Sequence, residues 1–282
     1  MKIAYGTYAM PDIPLEQAIP LIRSIGYDGV EIYIGDKHEN ALPADYNSTR
    51  RSNIRKILEA QQLGVPALML VGPKAWEPDA DLHARNLETT RETVQLARDF
   101  GYREPIVISI GIGGKTEAWD RDKNGIVVRL RDYAELGEKE GIVIAGEAHC
   151  GAGVDRSVRA LEVIQKVNSP YLRLHFDIVH FYLAGDSIEA CVRDLVPVTG
   201  HTHITDAQRH ADGSFDFRVL GDGELDSTAY MRAMAQAGWD DYITLEVSAR
   251  IWSQKGFDTV DTARRSYTAL SNAFKEAGVP RD

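Results

Sequence analysis

Ile142-Val143-Ile144-Ala145-Gly146-Glu147-Ala148-His149 reads as a β-strand with two unlike sides. Successive side chains in a strand point to opposite faces. Ile142, Ile144 and Ala148 therefore share one side with Gly146, and Val143, Ala145, Glu147 and His149 share the other. A barrel strand turns one side to surrounding helices and the other to the barrel interior. Here the interior side becomes chemical toward the C-terminal end, where barrel enzymes place their active sites.

The same parity recurs outward from this stretch. In 171–177, Leu172, Leu174 and Phe176 oppose Arg173, His175 and Asp177, and in 199–205, His201, His203 and Thr205 fall together. In 242–248, Ile243, Leu245 and Val247 oppose Thr244, Glu246 and Ser248. In 29–34, Val30, Ile32 and Ile34 oppose Glu31 and Tyr33. Further strands are predicted at 2–9, 66–71 and 105–111. Helical periodicity fills 14–25, 48–63, 79–100, 125–140, 155–167, 187–196, 226–237 and 258–277. Gly26, Gly64, Gly101, Gly141 and Gly238 follow helical stretches, where left-handed C-caps are expected. Strands alternating with helices indicate a parallel sheet. Eight such units, without a low-complexity linker, predict an α/β fold: a single (β/α)8 TIM barrel over residues 1–282.

The bulk composition narrows the function. A chain of 282 residues, 44% hydrophobic and 26% charged, can bury a large core. Its net charge of −10 argues against a nucleic-acid partner, which needs clustered Lys and Arg. Cys150 and Cys191 make no disulfide framework and fit a reducing compartment. No apolar stretch behind Met1 resembles a signal peptide, and none approaches a membrane span. The expectation is a cytoplasmic protein with no membrane partner.

Four late strands offer Glu147, Asp177, His203 and Glu246 at comparable heights. Buried carboxylates there repel one another unless something positive sits between them. One divalent ion meets that need. Three carboxylates and an imidazole are hard-leaning donors suited to Mn2+ or Mg2+, with Co2+ as an alternative. Zinc suits them less, since no thiolate joins the set.

Other features read more plainly. The run from Ser109 to Thr116 nearly matches a phosphate-binding loop, but the polar residues 117–125 read as loop where that motif needs a helix. Cys150 reads as a small residue at a strand exit. Tyr8, Trp76, Trp119, Phe181 and Trp252 are candidates for pocket walls.

The segments Gly-Glu-Ala-His (146–149), His-Phe-Asp-Ile-Val-His (175–180), the run from Gly200 to Arg209, Gly-Asp-Gly-Glu-Leu-Asp (221–226) and Leu-Glu-Val (245–247) resemble the xylose isomerase-like barrel superfamily. The sugar phosphate isomerase/epimerase branch is the best match, with ketose 3-epimerases, hydroxypyruvate isomerases and inosose dehydratases among its members. Gly-Tyr-Asp-Gly-Val-Glu (26–31) is similar to that branch's second-strand signature. The resemblance implies that Glu147, Asp177, His203 and Glu246 hold the metal, and that Glu147 and Glu246 are the catalytic acid/base pair. It implies that His180 and Arg209 bind a small carbohydrate-like substrate. It also implies association as a homodimer or homotetramer.

Three further residues belong near that substrate. Glu31 is either a contact or a support for a neighbouring residue. His149 and His201 exceed the family pattern, as a second acid/base group or as hydrogen-bonded core histidines. The resulting expectation is a metal-dependent isomerase or epimerase working through an enediolate. The alternative is a lyase of the same superfamily, a dehydratase or an eliminase with a small companion subunit.

Overall fold

The protein is described by a computed structural model over residues 1–102 and 105–281. In chain order its strands are β1 (Lys2–Gly6), β2 (Gly29–Ile34), β3 (Leu68–Lys74), β4 (Val107–Gly111), β5 (Val143–Glu147), β6 (Leu172–Asp177), β7 (Thr199–Ile204), β8 (Asp206–Arg209), β9 (Phe215–Arg218) and β10 (Tyr242–Leu245). Among the described residues, eight of them close into a barrel in the order β1-β10-β7-β6-β5-β4-β3-β2, every pair parallel. The expected (β/α)8 barrel is therefore the fold.

The helices are α1 (Leu15–Ile25), α2 (Ser48–Gln61), α3 (Ala80–Asp99), α4 (Trp119–Glu140), α5 (Ser157–Val167), α6 (Ile178–Leu183), α7 (Ile188–Leu195), α8 (Ser227–Gln236), α9 (Ala249–Trp252) and α10 (Thr259–Ala277). Asn47, Asp79, Ser187, Asp226 and Asp258 each cap a helix N-terminus through a side-chain oxygen. None of the described helices is long and apolar enough to cross a membrane.

The strands expected from parity all form, though several end earlier. Residues 7–9 turn into a 3-10 helix, and β3 runs on past a bulge to Lys74, with Gly72 at φ 126°. Three elements go beyond the sequence reading: α6, α9 and the β8–β9 hairpin. The polar run 117–125 is also not a loop, since α4 begins at Trp119 with Asp120 and Asp122 favouring its N-terminal dipole. That helix still starts beyond Lys115-Thr116, and Gly114 packs against Gly153.

Gly26, Gly101, Gly141 and Gly238 take positive φ as expected of helix stops. Gly64 does not. Gln62, at φ 53°, ends α2 instead. Gly64 serves close approach: it bridges Gly29, and a Cβ on either glycine would strike the Tyr242 side chain.

Apolar side chains from strands and helices form the large core between the barrel wall and the outer layer. Inside the barrel, Ala67, Val107, Ala145 and Val143 form a small apolar cluster. Near them, β7 accommodates an extra residue at Gly200, which brings His201 into register with His175 and His203 with Asp177. The polar interior begins there.

Candidate metal and active site at the barrel mouth

Glu147, Asp177, His203 and Glu246 come together as the strand parity requires. Each offers a ligand atom, and these atoms lie within 4.8 Å of one another. Asp177 and His203 are fully buried, whereas Glu147 and Glu246 are 12% and 11% exposed. The two glutamates thus meet the cavity above, and the other two lie buried beneath them.

The hydrogen bonds leave a converging set of free atoms. Asp177 Oδ1 accepts from the Val179 N–H at the start of α6, while Oδ2 has no hydrogen-bond partner. His203 Nε2 lies 2.9 Å from Glu31 Oε2, which fixes the proton on that nitrogen. Its Nδ1 has no hydrogen-bond partner and stands 3.6 Å from Glu246 Oε2. Orphaned buried polar atoms of this kind are expensive in a folded protein. A divalent cation would satisfy both, and the residues fit one.

Charge leads to the same conclusion. Burial, reinforced by Glu246 and Glu147, pushes the Asp177 carboxyl up to about 6 despite His180 and His203. Burial would raise Glu147 too, but His175, His180 and His149 hold it well below the carboxylate range. Burial works against a charged His203, yet Glu31 and Glu246 keep it well above the usual imidazole value. A metal would take the place of the Nδ1 proton.

Below the floor lies a layer of supporting groups. Glu31 is fully buried and accepts from both His201 Nε2 (2.7 Å) and His203 Nε2 (2.9 Å). Burial would raise its carboxyl, but His203 and His201 hold it well below its ordinary value. Gly6 makes room for it: a Cβ there would lie 3.0 Å from Glu31 Oε2. His175 pairs with Ser109 through Nδ1 (2.6 Å) and stacks edge-on against His203 (4.1 Å). Its pKa is lowered, chiefly by burial.

Two of the residues expected near substrate are therefore displaced from that role. His201 sits two positions before His203, roughly 6–7 Å deeper in the barrel. Glu31 supports the histidines and does not line the cavity. His149 and His180 do line it, their rings 3.8 Å apart, with His180 Nε2 3.7 Å from both Glu147 Oε1 and Asp177 Oδ2.

Arg209 departs from the expectation altogether. It lies on β8 with its side chain 48% exposed, paired to Glu224 at 2.9 Å and laid over the Tyr182 ring at 4.1 Å. The hairpin turns Phe217 into the cavity instead. Asp206, at the start of β8, serves the neighbouring backbone. Buried beneath the hairpin, it accepts from the backbone N–H groups of Ala207, Gly221, Gly223 and Leu225. That web fixes the 221–226 loop.

The cavity has a volume of about 300 Å³. Of the aromatic wall candidates, Tyr8 lines it, and Trp252 packs edge-on behind Tyr8 at 5.3 Å. Trp76, Trp119 and Phe181 do not line it. Lys37, Lys74 and Arg250 line it without having been singled out in the sequence. Their loops and the bulge after Leu70 follow no period that parity can read.

Two other groupings could hold a metal: His149-Cys150-His180 and His175-His201-His203. In the second, His201 and His203 are committed to Glu31 and His175 to Ser109. In the first, the two rings lie 3.8 Å apart and tilted by 39°, and His149 Nδ1 is taken up by the Cys150 carbonyl at 2.8 Å. Burial would raise the Cys150 thiol, but His149 and His180 bring it down to about 6.

Comparison with known proteins gives the family and agrees with the fold. Residues 19–271 match the family model described as xylose isomerase-like TIM barrel. The chain is 22% identical over 275 residues to an L-ribulose-5-phosphate 3-epimerase of Escherichia coli O157:H7, covering 93% of this chain and 91% of that protein. It is 25% identical over 240 residues to an L-ribulose 3-epimerase of Mesorhizobium japonicum, covering 82% and 75%. Among solved structures, a zinc-bound IolI protein superposes with a TM-score of 0.79 at 20% identity, over 97% of this chain and 99% of that one.

Proposed function

The chain belongs to the xylose isomerase-like TIM barrel family, and on that premise we propose that it is a divalent-metal-dependent sugar epimerase or isomerase. It moves a proton at a carbon next to a carbonyl. The observation that carries the reading is the pair of cavity-facing carboxylates, Glu147 and Glu246. They rise from β5 and β10, three strands apart around the barrel, on either side of the Asp177–His203 floor. The sugar 3-epimerases among the relatives support the same reaction class.

Glu147, Asp177, His203 and Glu246 would hold a cation such as Mn2+, Mg2+ or Co2+, which would supply Lewis acidity toward the substrate's carbonyl and adjacent hydroxyl. One glutamate removes the proton from the carbon between them, and the other returns one to the opposite face. His180, buried against Glu147, donates to the oxygen on which enediolate charge collects. Tyr8 and Phe217 wall the cavity and keep water from the reacting carbon.

The test is exchange in deuterated water with a panel of ketoses and saturating Mn2+ or Mg2+. Label should enter at a carbon adjacent to the carbonyl, and its uptake should cease after chelation. Glu147→Gln and Glu246→Gln should each slow exchange by about 10²–10⁴-fold. No label in any ketose at saturating metal sinks the proposal.

One observation favours a second outcome from the same site. His149 lines the cavity against His180 and could protonate a leaving group, which makes a lyase. A product lighter than its substrate by water or an aglycone distinguishes that reading.

A further inference from the structure

Tyr8 follows β1, whose Tyr5 is in register with Leu245, the residue before Glu246. Its ring lines the cavity and is fixed on three sides. It stacks on Tyr33 at 5.2 Å, meets Trp252 edge-on at 5.3 Å, and its hydroxyl meets Lys37 Nζ at 2.9 Å. The backbone is tied as well, with His38 Nε2 3.0 Å from the Tyr8 carbonyl.

The contact with Lys37 is directional. An ammonium has three donors and no acceptor, so the Tyr8 oxygen must accept. The phenolic proton then lies away from Lys37, and among the described residues it has no acceptor. Burial, reinforced by Glu246 and Glu147, raises the phenol above its usual value, so the proton is retained. Those carboxylates are the cavity-facing pair, and the hydroxyl stands in their field.

Lys37 gains little for itself. Its side chain is exposed, where an ammonium is well hydrated, and holding it in one place costs side-chain entropy. The turn that carries it is nevertheless pinned. The Lys37 N–H donates to Tyr33 Oη at 2.9 Å, and a Cβ on Gly35 would strike that same oxygen.

In the closed ring of strands β5 stands opposite β1, with β6 beside it. A sugar over the buried Asp177–His203 pair is therefore met by Glu147 and His180 from one side and by Tyr8 from the other. In the proton-transfer reading the carbonyl oxygen and its neighbouring hydroxyl are already engaged, which leaves the next hydroxyl along the chain. We infer that Tyr8 is a specificity-determining donor to an uncharged substrate hydroxyl beyond the reacting carbon, and that Lys37 is the positioning residue that aims its proton.

The inference rests on the proton-transfer reading, and the test separates the two. D- and L-ribulose and their 4-deoxy and 5-deoxy analogues are offered to the metal-loaded protein, and calorimetric binding and deuterium exchange are both recorded. The parent should bind ribulose about fivefold more tightly than one of the two deoxy analogues, the usual effect of one neutral hydrogen bond. Tyr8→Phe, which keeps the ring packing, should erase that preference and raise KM more than it lowers kcat. Lys37→Met should weaken the preference where Tyr8 is present and do nothing further in a Tyr8→Phe background, and Lys37→Arg should retain it. A preference that survives Tyr8→Phe, or losses at the two positions that simply add, overturns the inference. Binding with this pattern but without exchange upholds the Tyr8–Lys37 pair and sinks proton transfer. Exchange by a parent indifferent to both hydroxyls does the reverse.

Discussion

Glu31 Oε2 lies 2.9 Å from His203 Nε2, with both side chains fully excluded from solvent. The contact settles which nitrogen of His203 can face a metal. It also anchors the ring, because Glu31 accepts from His201 at 2.7 Å as well.

Glu31→Gln keeps the shape but replaces one acceptor with a donor that opposes the His203 N–H. Metal affinity is expected to fall about 10–100-fold, the usual effect of losing a ligand's outer partner. Titration of the metal-depleted protein with Mn2+ measures it. Affinity equal to that of the parent would remove Glu31 from the site.

Asp177 gives a pH signature in metal-depleted protein. Its pKa is raised from 3.8 to about 6 by burial, so the fold holds a proton that the unfolded chain has released. The stability this adds is fully present below pH 3.8 and lost as pH rises through about 6. The separation corresponds to roughly 3 kcal/mol. Asp177→Asn can still cap α6 and lacks this titration, so without metal it should gain on the parent by that order between pH 4 and 7. With saturating metal near pH 7 the order should invert, because only the parent binds tightly. Urea melts at both pH values, with chelator and with metal, give the four numbers. Parallel curves for the two proteins would refute the assignment.

Asp206 satisfies four backbone N–H groups with two oxygens. Asp206→Ala leaves several of them unpaired beneath the hairpin, and should cost at least about 3 kcal/mol in urea unfolding. Asp206→Asn, which keeps one acceptor oxygen, should cost less. Equal losses would point to packing instead of hydrogen bonding.

Arg209→Ala is expected to be mild. The Arg209–Glu224 pair is half in solvent, where water and salt screen such pairs to little net effect. Thermal melts and kcat/KM should both stay near the parent's. A fall of about 100-fold in kcat/KM would mean the hairpin swings Arg209 onto substrate, as the family resemblance implies.

Period two made much of this legible. Glu147, Asp177, His203 and Glu246 are interior residues at strand ends, and alternation alone puts them on one side. The same rule joined His201 to His203, but it could not give their depth. That difference separates a ligand from a residue behind it. Lys37 lies on a loop, Lys74 past a bulge and Arg250 in the one-turn helix α9, where no periodicity can be read. The hairpin of 206–218 was hidden because its strands are four residues each and mostly polar. The start of α4 was hidden by its exposed charged first turn, whose acids suit a helix end as well as a loop.

Gly6 has a bearing on how this catalyst can change. Any side chain there crowds Glu31, and a shifted Glu31 disturbs His201 and His203 together, so the three positions can be altered only in concert. Lys37 and Arg250, by contrast, hang from peripheral segments that bear no such mutual constraint. The rim of the cavity can therefore be recut one substitution at a time, while the buried layer beneath it is inherited intact.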